Sequence, residues 1–306
     1  MSKLWLTLFV LLPGSCLVMG GVLALRWLIR RRRSRRQRLT MIYLRTLLLR
    51  CDGKGRARFP FVDRPGADRA LAEAIAGLRR MTYGCDAAVL RSVVRSYDLE
   101  EKLLRRLRRP GADRPRLLAL LAALPLSSRM TVRLEPYARS RSRAVRFYAL
   151  LARLAADPGE ALTLLREYPD PFSRFECAEL LALMCRGGLP LACDTLLRAS
   201  EENLRRVGLC MARHFGIDSV RGLVLGLASD ERVGCEALET LCDLHLALPD
   251  RWAGSGPLSA EERRSLLRRA AYEGYALRAV EHLLYGEERI AFERLAATYK
   301  SAALWT

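Results

Sequence analysis

Histidine, aromatic residues and closely spaced cysteines are all scarce in this chain, and each scarcity removes a class of function. Three histidines stand among 306 residues, at His214, His245 and His282. None has a second ligating side chain at zinc spacing. Each falls in a leucine-rich helical stretch, so packing is the simpler reading than a ligand or base. The nine cysteines, at 16, 51, 85, 177, 185, 193, 210, 235 and 242, are odd in number and follow no disulfide-framework spacing. Most occupy small-residue positions inside apolar helical stretches, which predicts free buried thiols in a reducing cytoplasm. Cys177, Cys185 and Cys193 are too far apart in sequence for a zinc motif. No glycine-rich phosphate loop follows a strand, and no nucleophile elbow is present. Glu100-Glu101 and Glu261-Glu262 read as helix-start acids that complement the dipole, and Glu287-Glu288 as a solvated pair. The chain therefore gives no support for an enzyme, a cofactor, a metal or a small-molecule substrate.

Acidic residues are absent from the first 38 positions, which hold nine Lys and Arg. That segment carries nine of the net +19, leaving +10 for the rest. Residues 4–25 contain no charge, and 22 residues at about 1.5 Å each reach roughly 33 Å, enough for a hydrocarbon core of about 30 Å. The pattern predicts a transmembrane helix over 4–29, with Trp5 and Trp27 at headgroup level. It exits into Arg30, Arg31, Arg32, Arg33, Arg35, Arg36 and Arg38. Such a basic flank stays in the cytoplasm and attracts anionic lipid headgroups. The expected topology is a single pass through the inner membrane, N-terminus outside and C-terminal domain in the cytoplasm. Two alternatives are a cleaved signal peptide, using Val22-Leu23-Ala24, and a lipoprotein at Cys16. A basic start limited to Lys3, the arginine cluster and the poor lipobox of Pro13, Gly14 and Ser15 weigh against them.

Downstream, 30–50 reads as a basic juxtamembrane helix, continuing from the basic exit or lying on the membrane with Leu44, Leu47 and Leu48 on one face. Glycines and prolines make 51–66 a linker, with a short extended piece at 59–62. From 67 onward helix follows helix. Leu71, Ala74, Ile75 and Leu78 form one stripe, and Val89, Leu90, Val93, Val94 and Tyr97 the next. Asp98 is a candidate N-cap with Glu101 at the capping-box position, on a helix running to 109. Ser259 is another candidate N-cap, opening the helices of a terminal capping hairpin. No alternating strand of useful length occurs.

The second half repeats itself. Four twelve-residue blocks, 142–153, 173–184, 202–213 and 231–242, align so that the third position is Ala144, Phe175, Leu204 and Val233. The periods are 31, 29 and 29 residues. The eighth position is Ala149, Leu180, Leu209 and Leu238. A helical period near 30 implies a hairpin of two short helices per unit, and one such hairpin cannot bury both faces without stacked neighbours. On residues 204–212, 233–241 and the preceding helix 191–199, the chain resembles the HEAT repeat family. It departs in Gly208 and Gly234 inside the second helices, and in a patchy basic ladder of Arg146, Arg174, Arg205 and Arg232. The resemblance implies an α-solenoid over 67–306, clearest over 140–250, that binds protein on a curved surface.

The expected fold is thus all-α: a transmembrane helix followed by a HEAT-like α-solenoid. The expected function is a membrane-anchored adaptor whose partner is a membrane-associated protein, with an envelope or secretion assembly as a fitting context. A nucleic-acid-binding solenoid is the alternative. Its motivation is the clusters Arg105, Arg106, Arg108, Arg109 and Arg139, Arg141, Arg143, Arg146, but few aromatics interleave with them, so nucleic acid is the less favoured partner.

Overall fold

The computed structural model describes residues 2–53, 59–81, 87–185, 189, 191–246, 248, 259–281, 284 and 286–303. Within these, the side chains of 2–18, 20, 21, 25, 28, 29, 32, 260 and 301–303 lie outside the description. The described residues are all-α, without a strand, and form two compact units, 1–127 and 128–306. Among the described residues no helix is long and apolar enough to cross a membrane. The expected span over 4–29 falls for the most part on side chains outside the description.

In the first unit α1 (Ser2–Cys51) is one unbroken helix of 50 residues, followed by α2 (Ala67–Met81), α3 (Ala87–Ser96), α4 (Leu99–Leu107) and α5 (Arg114–Ala122). The basic exit therefore continues straight into 39–50. There the packing face is set by Tyr43 and Leu47, both fully buried, while Leu48 is exposed. These two lie four apart, on one face of a helix, and that face packs on α2. The Tyr43 hydroxyl donates to the Pro60 carbonyl at 3.0 Å, and Phe59 stands edge-on to both Tyr43 and Tyr97. Residues 60–62 are a turn rather than the extended piece expected. Arg64 N–H donates back to the Phe61 carbonyl at 3.1 Å, and Phe61 takes a left-handed φ of 60°.

Leu71, Ala74, Ile75 and Leu78 of α2 are buried, as their spacing requires. Asp98 does not cap α4. It adopts a left-handed φ of 50°, so its carboxylate does not accept from the helix amides and instead meets Arg105. Asp113 accepts the Arg116 N–H to open α5.

The second unit holds α6 (Arg129–Ala138), α7 (Arg143–Ala156), α8 (Ala161–Arg166), α9 (Arg174–Cys185), α10 (Cys193–Arg198), α11 (Glu202–Phe215), α12 (Arg221–Leu227), α13 (Gly234–Asp243), α14 (Ala260–Tyr272), α15 (Leu277–Val280) and α16 (Glu288–Ala303). The four aligned blocks coincide with the long helices α7, α9, α11 and α13. Each packs on the next, and α13 packs on α14. The short helices α8, α10 and α12 alternate with them, an arrangement consistent with a helical solenoid. Ala149, Leu180, Leu209 and Leu238 are all fully buried, so the eighth position is the core position of every repeat. The third position is buried only in the last two blocks, at Leu204 of α11 and at Val233 just before α13. Ala144 and Phe175 are exposed, because at the start of α7 and α9 the buried place falls one residue later, on Val145 and Glu176.

The turn between α8 and α9 binds successive repeats. Ser173 and Glu176 form a reciprocal capping box: the Glu176 N–H donates to Ser173 Oγ at 3.2 Å, and the Ser173 N–H donates to the Glu176 carboxylate at 2.8 Å. Arg143 of α7 reaches the same carboxylate with two N–H donors. From α11, Asn203 accepts the Phe172 N–H and donates to the Tyr168 and Asp170 carbonyls. Tyr168 and Phe172 stack at 4.8 Å beneath. Ser259 does cap α14, with Glu262 completing its box. The hairpin's terminal helices, α14 and α16, pack together.

Gly208 lies inside α11 as expected, whereas Gly234 is the first residue of α13 rather than inside it, and both glycines have a steric cause. A Cβ on Gly208 would meet Leu196 and Leu197 of α10 at 3.0 Å, and one on Gly234 would meet the Ala228 carbonyl oxygen at 2.8 Å. Backbone cannot swing aside as a side chain end can. Gly234→Ala is therefore expected to lower stability by about 1–3 kcal/mol in a urea titration, despite the better helix propensity of alanine.

Candidate functional site: a cationic cleft on α14

Helix α14 has two faces. Leu266, Leu267, Ala270 and Ala271 are buried in the core. Arg264, Arg268 and Tyr272 follow one another at four-residue spacing, as do Ser265 and Arg269, which places both rows on a common outer face. That face forms one wall of an open cleft of about 540 Å³. The opposite side is supplied by Arg174 at the start of α9, Arg213 in the last turn of α11, Glu239 in α13 and Tyr299 in α16. Five arginines and two glutamates line it.

Two carboxylates of α13 hold three of these arginines, Glu239 of the lining and the partly buried Asp243. Glu239, 2% exposed, accepts from Arg174 at 2.6 Å, from Ser265 at 2.7 Å and from Arg213 at 3.5 Å. Asp243 accepts two N–H groups from Arg269 and lies 3.8 Å from Arg213. Burial alone would lower the Arg213 pKa, but Cys210, Asp243 and Glu239 outweigh it, and the guanidinium is held more firmly charged than usual. Hydrogen bonding to Asp243 does the same for Arg269. At the rim Arg268 is exposed and has no ion-pair partner among the described residues. Tyr272 is 64% exposed and meets Tyr299 edge-on at 5.5 Å. The cleft thus presents more guanidinium groups than carboxylates, three of them oriented by Glu239 and Asp243, beside an accessible aromatic pair. Such a surface recognises carboxylate or phosphate groups, bidentately where the geometry permits.

A second cavity, of about 460 Å³, is lined by Arg139, Arg146 and Arg153 against Glu135, Glu167 and Asp170. Its charges balance, and Arg146 is already bound through two nitrogens to Asp170. It has no comparable pull on an anion.

The residues singled out by sequence lie elsewhere. Trp27 is exposed, with the Arg31 guanidinium 5.0 Å above its ring. Arg30, Arg33, Arg35 and Arg38 are exposed, whereas Arg36 turns to α2 and pairs with Glu73 at 3.2 Å. The side chains of Trp5 and Arg32 lie outside the described residues. In the downstream arginine clusters Arg106 grips Asp68 bidentately, and Arg143 and Arg146 bind Glu176 and Asp170, whereas Arg105, Arg108, Arg109, Arg139 and Arg141 are exposed, Arg139 in a surface pair with Glu135. His214 approaches Cys185 at 3.4 Å, and among the described residues no carboxylate hydrogen-bonds its ring. His245 is not helical as expected. It takes a φ of 52° in the turn after α13, 3.6 Å from Glu273. His282 lies outside the described residues, and among those described no cluster could hold a metal ion. Sequence reasoning missed the cleft. Its one legible signal was the four-residue spacing of Arg264, Arg268 and Tyr272.

No family model matches this chain, and no curated protein or solved structure matches it.

Proposed function

We propose that this chain is a membrane-anchored, non-enzymatic adaptor whose cleft on α14 captures an acidic segment of a membrane-associated protein. In this reading 4–29 spans the inner membrane with the N-terminus outside, and the HEAT-like repeats stand in the cytoplasm. The exposed arginines of the basic exit rest on anionic headgroups, on the order of 1 kcal/mol each. The observation that carries the reading is the surplus of arginines over acids in the cleft beside Tyr272, with Arg174, Arg213 and Arg269 held in place by Glu239 and Asp243. Cations already in place lower the ordering cost of binding an anionic segment. Anchoring raises the effective concentration for any partner confined to the same bilayer.

The test is fluorescence anisotropy with full-length protein in detergent micelles and a labelled peptide of glutamates interrupted by one tyrosine. We expect saturable binding that weakens as salt rises, at least tenfold weaker in Arg268→Glu. Arg268 is exposed and has no ion-pair partner among the described residues, so that variant should unfold within about 0.5 kcal/mol of the parent. Equal binding by both proteins, or a preference for single-stranded nucleic acid over the peptide, overturns the proposal.

A further inference from the structure

Three arginines from three helices of the first unit converge on one carboxylate, and the cleft on α14 does not account for them. Glu73 of α2 lies 3.2 Å from Arg36 Nε of α1, 3.4 Å from Arg69 Nε of its own helix and 4.0 Å from Arg116 Nη2 near the start of α5. The packing of α1 and of α5 on α2 brings them there. Among the described residues these three cations have no other ion-pair partner. Arg106 and Arg146, by contrast, each have a carboxylate to themselves. The Nε–H groups of Arg36 and Arg69 are buried and, close as Glu73 is, make no hydrogen bond among the described residues. Three charges against one leave a surplus of two. A guanidinium offers about five N–H donors, and a carboxylate accepts about four hydrogen bonds, so Glu73 alone cannot satisfy the cluster.

We infer that Arg36, Arg69 and Arg116 form a binding site for a phosphate group. A phosphate brings an oxygen for each guanidinium, whereas Glu73 has two oxygens for three cations. Bonds from guanidinium to phosphate are charge-assisted, and the planar fork suits them to bidentate contact. The cluster is open to solvent: Arg116 is 57% exposed, and Arg36 and Arg69 are each partly exposed. Burial lowers the Arg36 pKa, Glu73 opposes that, and Arg69, Arg116 and Arg33 add to the lowering. A bound anion relieves the repulsion among these cations.

Two sources present such a group. One is a lipid headgroup. Arg36 lies seven residues past position 29, about 10 Å along a helix, and its long side chain spans part of that distance back to the bilayer. The other is soluble phosphate. The lipid source rests on the reading of 4–29 as a membrane span, and the phosphate chemistry does not.

The test uses the full chain in uncharged detergent micelles, followed by isothermal titration calorimetry. One arm titrates inorganic phosphate and the other short-chain phosphatidic acid, each against a chloride control of equal ionic strength. We expect one saturable site per chain in at least one arm, at least tenfold weaker in Arg116→Gln. Arg116 is the most exposed and most distant of the three cations, and Glu73 keeps the other two, so this variant is expected to melt with the parent. Arg35→Gln, which removes an exposed arginine of the basic exit, should bind as the parent does. Glu73→Gln, checked for parental helicity by circular dichroism, should bind more tightly, because no carboxylate then competes with the anion. Saturation by phosphatidic acid alone identifies the headgroup as the source, saturation by inorganic phosphate alone identifies the soluble anion, and saturation by both shows that the phosphate group itself is recognised. Absence of saturation in both arms overturns the inference, as does equal binding by Arg116→Gln and the parent. An equal loss in Arg35→Gln also overturns it, since the binding then belongs to the solvated arginine run. Arg268→Glu should leave phosphate binding unchanged, so failure of this site and failure of the adaptor reading are separately visible.

Discussion

Leu238→Ala is expected to lower the unfolding free energy by about 2–5 kcal/mol, and Phe175→Ala by less than about 0.5 kcal/mol. The two positions look alike in sequence, since both are large apolar residues in aligned repeat blocks. Leu238 is fully buried and packs with Leu209, Leu241, Val224 and Leu267 in one core cluster. Its truncation removes buried methyl groups and leaves a cavity that the neighbouring helices α11, α12 and α14 cannot close without shifting one another. Phe175 is 59% exposed in the first turn of α9 and leaves nothing behind. Urea titrations of both variants measure the difference directly. Equal losses would mean that the eighth position is not the shared core position of the repeats.

Glu176→Ala should cost about 3 kcal/mol at pH 7, the low end for a broken buried pair because Arg143 keeps access to water. The loss has three parts. Arg143 loses its carboxylate, the capping box of α9 loses its second half, and the Tyr168 hydroxyl loses an acceptor at 3.3 Å. Burial acts to raise the Glu176 pKa, but the hydrogen bonds from Arg143 and Ser173 prevail and hold it below the ordinary carboxylate value. A carboxyl depressed in the folded state contributes stability above its unfolded pKa, about 4.3, and that contribution fades as pH falls through the lower folded value. The conservative variant Glu176→Gln lacks this titration. Its deficit relative to the parent should be constant above about pH 5 and shrink on further acidification. Thermal melts of both proteins between pH 3 and 7 would show the convergence, and a deficit that grows with acid would contradict the depressed pKa.

The helices were legible because their periodicity comes from burial. The apolar stripe of α2 and the four eighth positions were predicted and are buried. Turn chemistry was harder to read. Asp98 has the sequence of an N-cap, yet its left-handed backbone points its carboxylate away from the amides. Phe59 is buried as an extended apolar run would suggest, but Tyr43, a distant residue, claims the Pro60 carbonyl and the chain turns. Pairing within the arginine runs was not legible for a related reason. Arg106, Arg143 and Arg146 look like a solvated cationic surface until the folded chain delivers Asp68, Glu176 and Asp170 to them. Charge adjacency in sequence records no such pairing. The cleft was hidden because its residues come from α9, α11, α13, α14 and α16, more than one hundred positions apart. Only the α14 rows carried a local signal.

The most direct measurement of the adaptor account is photo-crosslinking in intact membranes of the source cell, with a photoreactive amino acid replacing Tyr272 in the full-length chain. The account predicts one dominant protein adduct, mapped by mass spectrometry to an acidic segment of a membrane-associated protein, and its loss when Arg268→Glu is added. A cleft that yields no protein adduct, an adduct to nucleic acid, or an adduct indifferent to Arg268→Glu would contradict it.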